Sequence, residues 1–507
     1  MKKQVLYYFL LLLPFWGFSQ YTQLGNTIAD PNGVAGDRFG ETSVLNSTGE
    51  FLVTGARNYD GITGTQTSIG KVQVYQRVVG TWTQVGNDLV GDAAGDNFGS
   101  SLAISADGSV IAVGALLSNV NGSQSGYVRV FENIAGTWTQ VGADFVGQST
   151  GAFLGSAVSL SADGTRIAIG ASGVNTAKGE VRVYQLNTGT WTQLGVTMSG
   201  VVDNDRFGSA ASLSDDGNFL AVGIPFSDAN ANPNGTDSGQ VKVYRYTSNW
   251  NQIFVDAVVG QNFNLGSAVA LSGDSSVLVA SVPQANDPAD GSGYVKIYKY
   301  NGTLSTYAFT TDISGENNDD RFGTAVALSA DGSFLGVGAS SNDSNGTNSG
   351  KAYLFENTTG NTWNLVPGDY NNTSAANYFS GSSVSLSDNG VIFSVGTFNA
   401  TNPINSTTFT GIVEVFGDSS ILAVKDDLLN ESLVIYPNPT TDKITISNTN
   451  NYNIDSITIT DLSGRIVYAN EASFVATTVN VSNLKSGMYM LTLQSDEAKM
   501  MRKIIKQ

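Results

Sequence analysis

The sequence predicts an all-β chain: a seven-bladed β-propeller with an N-terminal closing strand, followed by a small Ig-like β-sandwich. Three observations predict it. One four-strand pattern recurs seven times, and its seventh copy lacks a last strand that is instead found near the N-terminus. The C-terminal segment then changes in both turn chemistry and charge.

Residues 1–20, MKKQVLYYFLLLLPFWGFSQ, place Lys2 and Lys3 before an apolar run from Val5 to about Phe18, ending in Ser19 and Gln20. A bilayer-spanning helix needs about 20 apolar residues. This shorter run, followed at once by polar, turn-rich sequence, has the form of a cleavable secretory signal peptide. No other stretch is long and apolar enough to span, so no membrane span is expected in the mature chain. The 507 residues contain no cysteine, which removes disulfides, thiolate metal sites and a lipid-anchored cysteine. They also contain no histidine, so zinc hydrolases and Ser-His-Asp chemistry are disfavoured. Glycosidases, which need only two carboxylates, are not. Residues 21–430 carry 16 Lys and Arg against 36 Asp and Glu, whereas residues 431–507 carry 7 against 7. The acidic part repels nucleic acid and anionic lipid.

The repeat begins [FL]-G-x(4)-[LI]-S, continues through an Asp-Gly turn and an apolar run, and ends in V-x-V-[YF] and W-T-Q-x-G. Its glycines are Gly40, Gly99, Gly155, Gly208, Gly266, Gly323 and Gly381, spaced by 59, 56, 53, 58, 57 and 58 residues. The first strand of each unit is rich in small residues, as suits the crowded centre of a ring. Asp107-Gly108, Asp163-Gly164, Asp216-Gly217 and Asp331-Gly332 predict tight type I′ hairpins. Runs such as Val110 to Val113 predict a second strand buried on both faces. Val128-Arg129-Val130-Phe131 alternates and predicts a third strand nearer solvent. Trp82, Trp138, Trp191, Trp250 and Trp363 mark the fourth.

Such units build either a ring or a straight solenoid. The termini discriminate. The seventh unit, Phe379 to about Phe416, stops after its third strand, and Tyr21-Thr22-Gln23-Leu24-Gly25 carries the missing pattern. A ring lets that segment complete the last blade and hides both sheet edges.

The Phe-Gly pairs at 39–40, 98–99, 207–208 and 322–323, with Val-Gly-Ala closing a strand, resemble the FG-GAP repeats of integrin α-chain propellers and their bacterial relatives. The resemblance spans residues 21–418. Units three, five and seven depart from it, reading Phe153-Leu154-Gly155, Phe263-Asn264-Leu265-Gly266 and Phe379-Ser380-Gly381. It implies a fold that serves adhesion, ligand binding and sometimes catalysis.

In such a ring the Asp-Gly turns share one rim, while the long second-to-third and blade-to-blade loops share the other. Long loops on a rigid scaffold carry function, so binding is expected on the long-loop rim. Four units read Asp-x-Phe-Gly, at Asp37, Asp96, Asp205 and Asp320. These aspartates suit two roles: holding a turn through backbone N–H groups, or contributing to a calcium site. No unit reproduces the D-x-D-x-D-G loop of integrin propellers, and calcium is the one cofactor these residues suggest. The recurrence of the tryptophans at one blade position points to packing rather than sugar stacking.

After a linker at residues 419–430, residues 431–507 read as short alternating strands separated by turns, a small β-sandwich. Tyr436-Pro437-Asn438-Pro439, Asp461 to Gly464, Ser486-Gly487-Met488-Tyr489 and the basic Lys503 and Lys506 resemble the type A C-terminal sorting domain of the type IX secretion system of Bacteroidetes. That resemblance implies export across both membranes, partnership with the secretion machinery and its sorting protease, and release or attachment at the cell surface. The functional expectation is a secreted or cell-surface, non-catalytic binding or adhesion protein for a glycan or protein ligand. The alternative is a carbohydrate-active enzyme, a glycoside hydrolase or lyase, with carboxylates at the channel mouth.

Overall fold

The computed structural model describes residues 21–61, 67–78, 80–228, 237–258, 262–284, 291–370, 375–418, 433–448, 454–461, 465–470, 477–495 and 498–507. The expected signal peptide, the expected linker and Gly464 lie outside them. The chain divides into a unit spanning Tyr21–Gly417 and a second containing Asp418–Gln507.

The first unit is a β-propeller, and among its described residues seven antiparallel sheets form. The second sheet shows the plan: an inner strand Phe98–Ile104, then Val110–Ala115, Tyr127–Ile134 and an outer strand Thr137–Gln140. The second strand is apolar because both its faces meet neighbouring sheets: Ile111, Ala112 and Val113 are all fully buried. The other inner strands are Phe39–Leu45, Leu154–Leu160, Ala210–Leu213, Val269–Leu271, Phe322–Leu328 and Ser380–Leu386. The core lies between sheets, as where Val53, Val72 and Val74 of one meet Phe98, Ile111 and Val113 of the next.

The last sheet holds Ser380–Leu386, Ile392–Thr397 and Ile412–Asp418, with Tyr21–Gln23 as its outer strand. Leu24 N–H donates to Val415 O at 2.7 Å, and Ile28 and Val413 exchange two bonds of 2.9 Å. First and last sheets also meet at the centre, where Leu45 N–H donates to Ser385 Oγ at 3.0 Å.

The Asp-Gly hairpins are not type I′. Only the glycine of Asp107-Gly108 takes a positive φ, 76°, and its N–H donates to Ser105 O at 3.0 Å, closing a type I turn. The reason is the aspartate side chain, which accepts from Ser105 Oγ at 2.6 Å and Ser109 N–H at 2.9 Å and holds the turn from inside. The same serine-to-Asp bond recurs at Asp163, Asp216, Asp274 and Asp331. The turns then bond to each other in a closed circle: Ser47 to Ala106, Ala106 to Ala162, Ala162 to Asp215, Asp215 to Gly273, Asp274 to Ala330, Ala330 to Asp388, and Asp388 back to Ser47. A rod could not close that circle.

The second unit pairs a three-stranded sheet, Leu433–Tyr436, Lys443–Asn448 and Thr477–Asn480, with a four-stranded one, Ile466–Asn470, Ser456–Asp461, Gly487–Ser495 and Ala498–Lys506. Ile444, Ile446, Ile457, Ile459, Leu491 and Leu493 form their shared, fully buried core. Among the described residues no helix is long and apolar enough to cross a bilayer.

Candidate functional site

The inner strands enclose an open channel of about 320 Å3, walled by small side chains such as Ser43, Ser101, Ala157, Ala210, Ser267 and Ser383. Every inner strand is entered through the same backbone device. A residue in the left-handed region precedes a buried Phe, Leu or Ser, and a glycine of positive φ follows. At Gly40 (φ 79°) a Cβ would lie 2.3 Å from Ile412 O, so only glycine lets the sheets approach so closely.

The left-handed residues are Arg38 (φ 61°), Asn97 (52°), Phe153 (51°), Arg206 (56°), Asn264 (56°), Arg321 (55°) and Phe379 (58°). They stand at the entry to the seven inner strands, in a ring on the long-loop rim of the propeller. The carbonyls of Arg38, Asn97, Phe153, Arg206, Asn264 and Arg321 each accept the N–H of the residue three positions on, at 3.0–3.2 Å. The backbone frame is therefore constant, and the side chain is what varies. Left-handed backbone costs roughly 1–2 kcal/mol for residues other than glycine, with Asn tolerating it best. Asn97 and Asn264 use their amides locally, donating to Arg57 O at 2.9 Å and Pro225 O at 3.1 Å. Arg and Phe gain nothing comparable from the turn itself.

This frame also explains the imperfect repeats. Leu154, Leu265 and Ser380 occupy the buried place filled elsewhere by Phe39, Phe98, Phe207 and Phe322. In units three and seven the phenylalanine stands one residue earlier, at the left-handed position.

Glu41 lines the channel, with Arg57 Nε at 2.6 Å and Arg38 Nε at 3.4 Å from its Oε2. Burial lowers the Arg38 pKa, an effect opposed by Glu41 and reinforced by Arg57. The Arg38 guanidinium lies 4.4 Å from the centre of the Phe398 ring, which stacks on Phe379 at 5.0 Å and 8°. Arg206 lies 4.9 Å over Phe226. Arg206 and Arg321 are exposed, and among the described residues neither forms an ion pair.

Asp37, Asp96, Asp205 and Asp320 are buried in four different units. Asp37 accepts from Val34 N–H at 2.8 Å, and Asp96 from Asp92 and Ala93 N–H at 3.0 Å each. Asp320 accepts from Asn317 N–H at 3.1 Å and Asn342 Nδ2 at 2.7 Å, and Asp205 from Ser227 Oγ at 3.4 Å. The structure does not bring them together, and among the described residues no group of three or more carboxylates could hold a metal ion. Burial raises the Asp37 pKa to about 6, although the Val34 N–H and Lys71 pull it down.

Four tryptophans fasten sheet to sheet. Trp82, Trp138, Trp191 and Trp250 donate from Nε1 to Leu24 O, Val85 O, Val141 O and Leu194 O, each in a neighbouring sheet, at 2.9–3.2 Å. Sequence patterning does not single out these left-handed residues, because the constant letter of Asp-x-Phe-Gly is the Asp. The signal was the x: Arg, Asn, Arg and Arg.

In the second unit, Asn438 joins the opening motif to the terminal strand, donating to Lys503 O and accepting from Ile505 N–H, both at 2.8 Å. Gly487 pairs with Lys506 and Tyr489 with Ile504. Tyr436, Pro437, Asn438, Pro439, Gly487, Lys503 and Lys506 thus gather at one end of the unit. The Tyr489 hydroxyl donates to Lys485 O at 2.8 Å.

Residues 434–507 match the model of the secretion system C-terminal sorting domain, and residues 314–355 match that of the FG-GAP repeat. No curated protein matches the chain. Solved structures similar to it include hydrazine synthase of Kuenenia stuttgartiensis, at 13% identity and a TM-score of 0.48, covering 78% of this chain and 98% of that one. The periplasmic gluconolactonase PpgL of Pseudomonas aeruginosa is similar at 17% identity and a TM-score of 0.43, over 64% of this chain and 84% of its own. The Cps50 (Swd1) β-propeller domain of Myceliophteria thermophila is similar at 11% identity and 0.48, over 76% and 98%. The chain therefore joins an FG-GAP-repeat β-propeller to a type IX secretion-system C-terminal sorting domain, which directs it to the cell surface or the extracellular space.

Proposed function

We propose that this is a non-catalytic binding and adhesion protein that engages an extracellular glycan or protein through the long-loop rim. The observation that carries the reading is the ring of left-handed residues. Seven equivalent backbone positions hold Arg, Asn, Phe, Arg, Asn, Arg and Phe. A fold repeats its packing residues; Arg206 and Arg321, which diverge within this repeated frame, exposed and at a conformation costly for them, are better placed to serve binding than folding. Glu41 is the one carboxylate among the described residues lining the channel, and Arg57 neutralises it. That arrangement suits binding better than the paired carboxylates of a glycoside hydrolase. The buried hydrogen bonds of Asp37, Asp96, Asp205 and Asp320 favour turn-holding over calcium.

In this reading residues 1–20 are a signal peptide, 21–418 the propeller, 419–430 a linker and 431–507 the sorting domain recognised by the export machinery and its protease. The test is a binding screen of residues 21–507 against extracellular glycans and matrix proteins. Arg321→Glu, on the long-loop rim, is expected to weaken any hit at least tenfold. Thr190→Lys, exposed at the turn between the third and fourth strands of its sheet on the short-turn rim, is expected to leave it unchanged. The reverse pattern, or equal sensitivity, would overturn the assignment of the rim.

A further inference from the structure

We infer that the ring is locked by a covalent bond: the Lys71 amine and the Asp30 carboxyl condense to an isopeptide amide, with Asp88 moving a proton. Asp30 follows Ile28, which pairs with Val413 of the last sheet, so it belongs to the segment that closes the ring. Lys71 opens the strand Lys71–Val78 of the first sheet. A bond between them ties the closing segment to the first sheet, at the seam where the ring is otherwise held by non-covalent contacts alone.

The reactants are in contact and dry. Lys71 Nζ donates to Asp30 Oδ2, and the two side chains are only 1% and 2% exposed. Asp30 is fixed at both ends: Asn32 N–H donates to its Oδ1 at 3.0 Å, and Asn402 Nδ2 donates to its backbone O at 2.6 Å. The Lys71 ammonium lies 4.0 Å from the centre of the buried Tyr59 ring, which shields it from water. Asp88 Oδ2 stands 3.5 Å from Nζ. Its other oxygen is held by the amides of Gln73 and Gln84 at 2.8 and 2.7 Å. Fixing an amine against a carboxyl supplies the proximity that the free groups lack in water. In the sixth sheet Lys351 opens the corresponding strand and pairs with Glu316 at 3.1 Å, but those side chains are 27% and 50% exposed. That solvated pair stays ionic and is the internal control.

The step balances without any co-reactant. One proton passes from Nζ to Oδ2 along the hydrogen bond they share, leaving a neutral amine and a carboxylic acid. The nitrogen lone pair attacks Asp30 Cγ, and the carbonyl π electrons move onto Oδ1, where the Asn32 N–H already donates and stabilises the oxyanion. Asp88 takes a second proton from the nitrogen and delivers it to Oδ2. The Cγ–Oδ2 bond breaks, its electrons leave with the oxygen as water, and Oδ1 re-forms the carbonyl. An ammonium and a carboxylate thus become one amide and one water, and Asp88 is regenerated. The product is neutral, which removes the cost of keeping two charges out of water. Asp88, 33% exposed, opens the site to solvent on the side where that water departs. Asp37 feels both lost charges, but burial is the main cause of its raised pKa and survives the reaction.

The test is intact mass spectrometry of residues 21–507, followed by digestion of the denatured chain and fragmentation of its peptides. The chain is expected to be lighter than its sequence by one water. That loss is expected to map to a branched peptide joining Asp30 to Lys71, with Lys351 and Glu316 in separate linear peptides. Lys71→Arg keeps the positive charge but cannot form the bond, and is expected at its full sequence mass. Asp88→Asn keeps both reactants and is expected to raise the unlinked fraction about tenfold or more; it is the second variant should the larger arginine not be accommodated. An unaltered chain at full sequence mass, with Asp30 and Lys71 in separate peptides, overturns the bond. A water loss carried by a linear peptide, as a succinimide at an Asp-Gly pair such as Asp107-Gly108, overturns it too, as does the same loss in Lys71→Arg. Linkage that Asp88→Asn leaves at the unaltered level overturns the role of Asp88 and leaves the bond standing.

Discussion

Asp37 illustrates how a single side chain can hold a turn at a cost. Its carboxylate accepts the Val34 N–H but is buried, near Asp30, Asp60 and Lys71, and its pKa rises to about 6. A carboxyl with a raised folded-state pKa binds its proton more tightly when folded. Its contribution to stability is full below the unfolded value of about 3.9 and is lost as pH rises through 6. Melting temperature is therefore expected to fall between about pH 4 and about pH 6.5 and to level off above that, and Asp37→Asn to flatten that dependence. Scanning calorimetry across this range checks it; an unchanged slope in the variant would show that other groups carry the effect. Lys71 and Asp30 nearby are a different case. Both are almost wholly buried and paired with each other, so neither charge is left uncompensated.

The closing strand shows what one short element does for the ring. Tyr21 is 5% exposed, packs edge-on against Tyr370 at 5.9 Å, and donates its hydroxyl to Gly390 O at 2.7 Å. Three residues thereby cover the otherwise open edge of Ile412–Asp418. Tyr21→Ala removes a buried aromatic and is expected to cost about 3 kcal/mol or more. Tyr21→Phe removes only the hydrogen bond and should cost about 1 kcal/mol. Urea midpoints of the two variants separate ring filling from hydrogen bonding, and equal shifts would contradict this account.

At the scale of the whole molecule, two units each own a hydrophobic core. The propeller core lies between its sheets, and the C-terminal core is built from Ile444, Ile446, Ile457, Ile459, Leu491 and Leu493. Units with separate cores unfold as separate cooperative transitions. Scanning calorimetry of residues 21–507 is expected to show two transitions, and a chain ending at residue 418 to retain the one belonging to the propeller at the same temperature. A shift of several degrees would mean that the units stabilise each other.

The sequence by itself determined the repeat count, the order of strands within each unit, the split last sheet and the identity of the C-terminal segment. All of these are written locally: alternating apolar residues, Ser-x-Asp-Gly turns and a pattern that returns every 53 to 59 residues. Tertiary structure alone decided where individual side chains went. The turn class was misjudged because Asp107 turns inward to Ser105 and Ser109 instead of adopting a left-handed backbone. The tryptophans found partners one whole repeat away, and the circle of turns exists only once Asp388 reaches Ser47. The left-handed residues of the rim were legible as the variable letter of a motif, yet their common place depends on a left-handed backbone at seven positions and on closure of the ring. Such placements rest on contacts between residues far apart in the chain, and a local pattern cannot encode which of those contacts form.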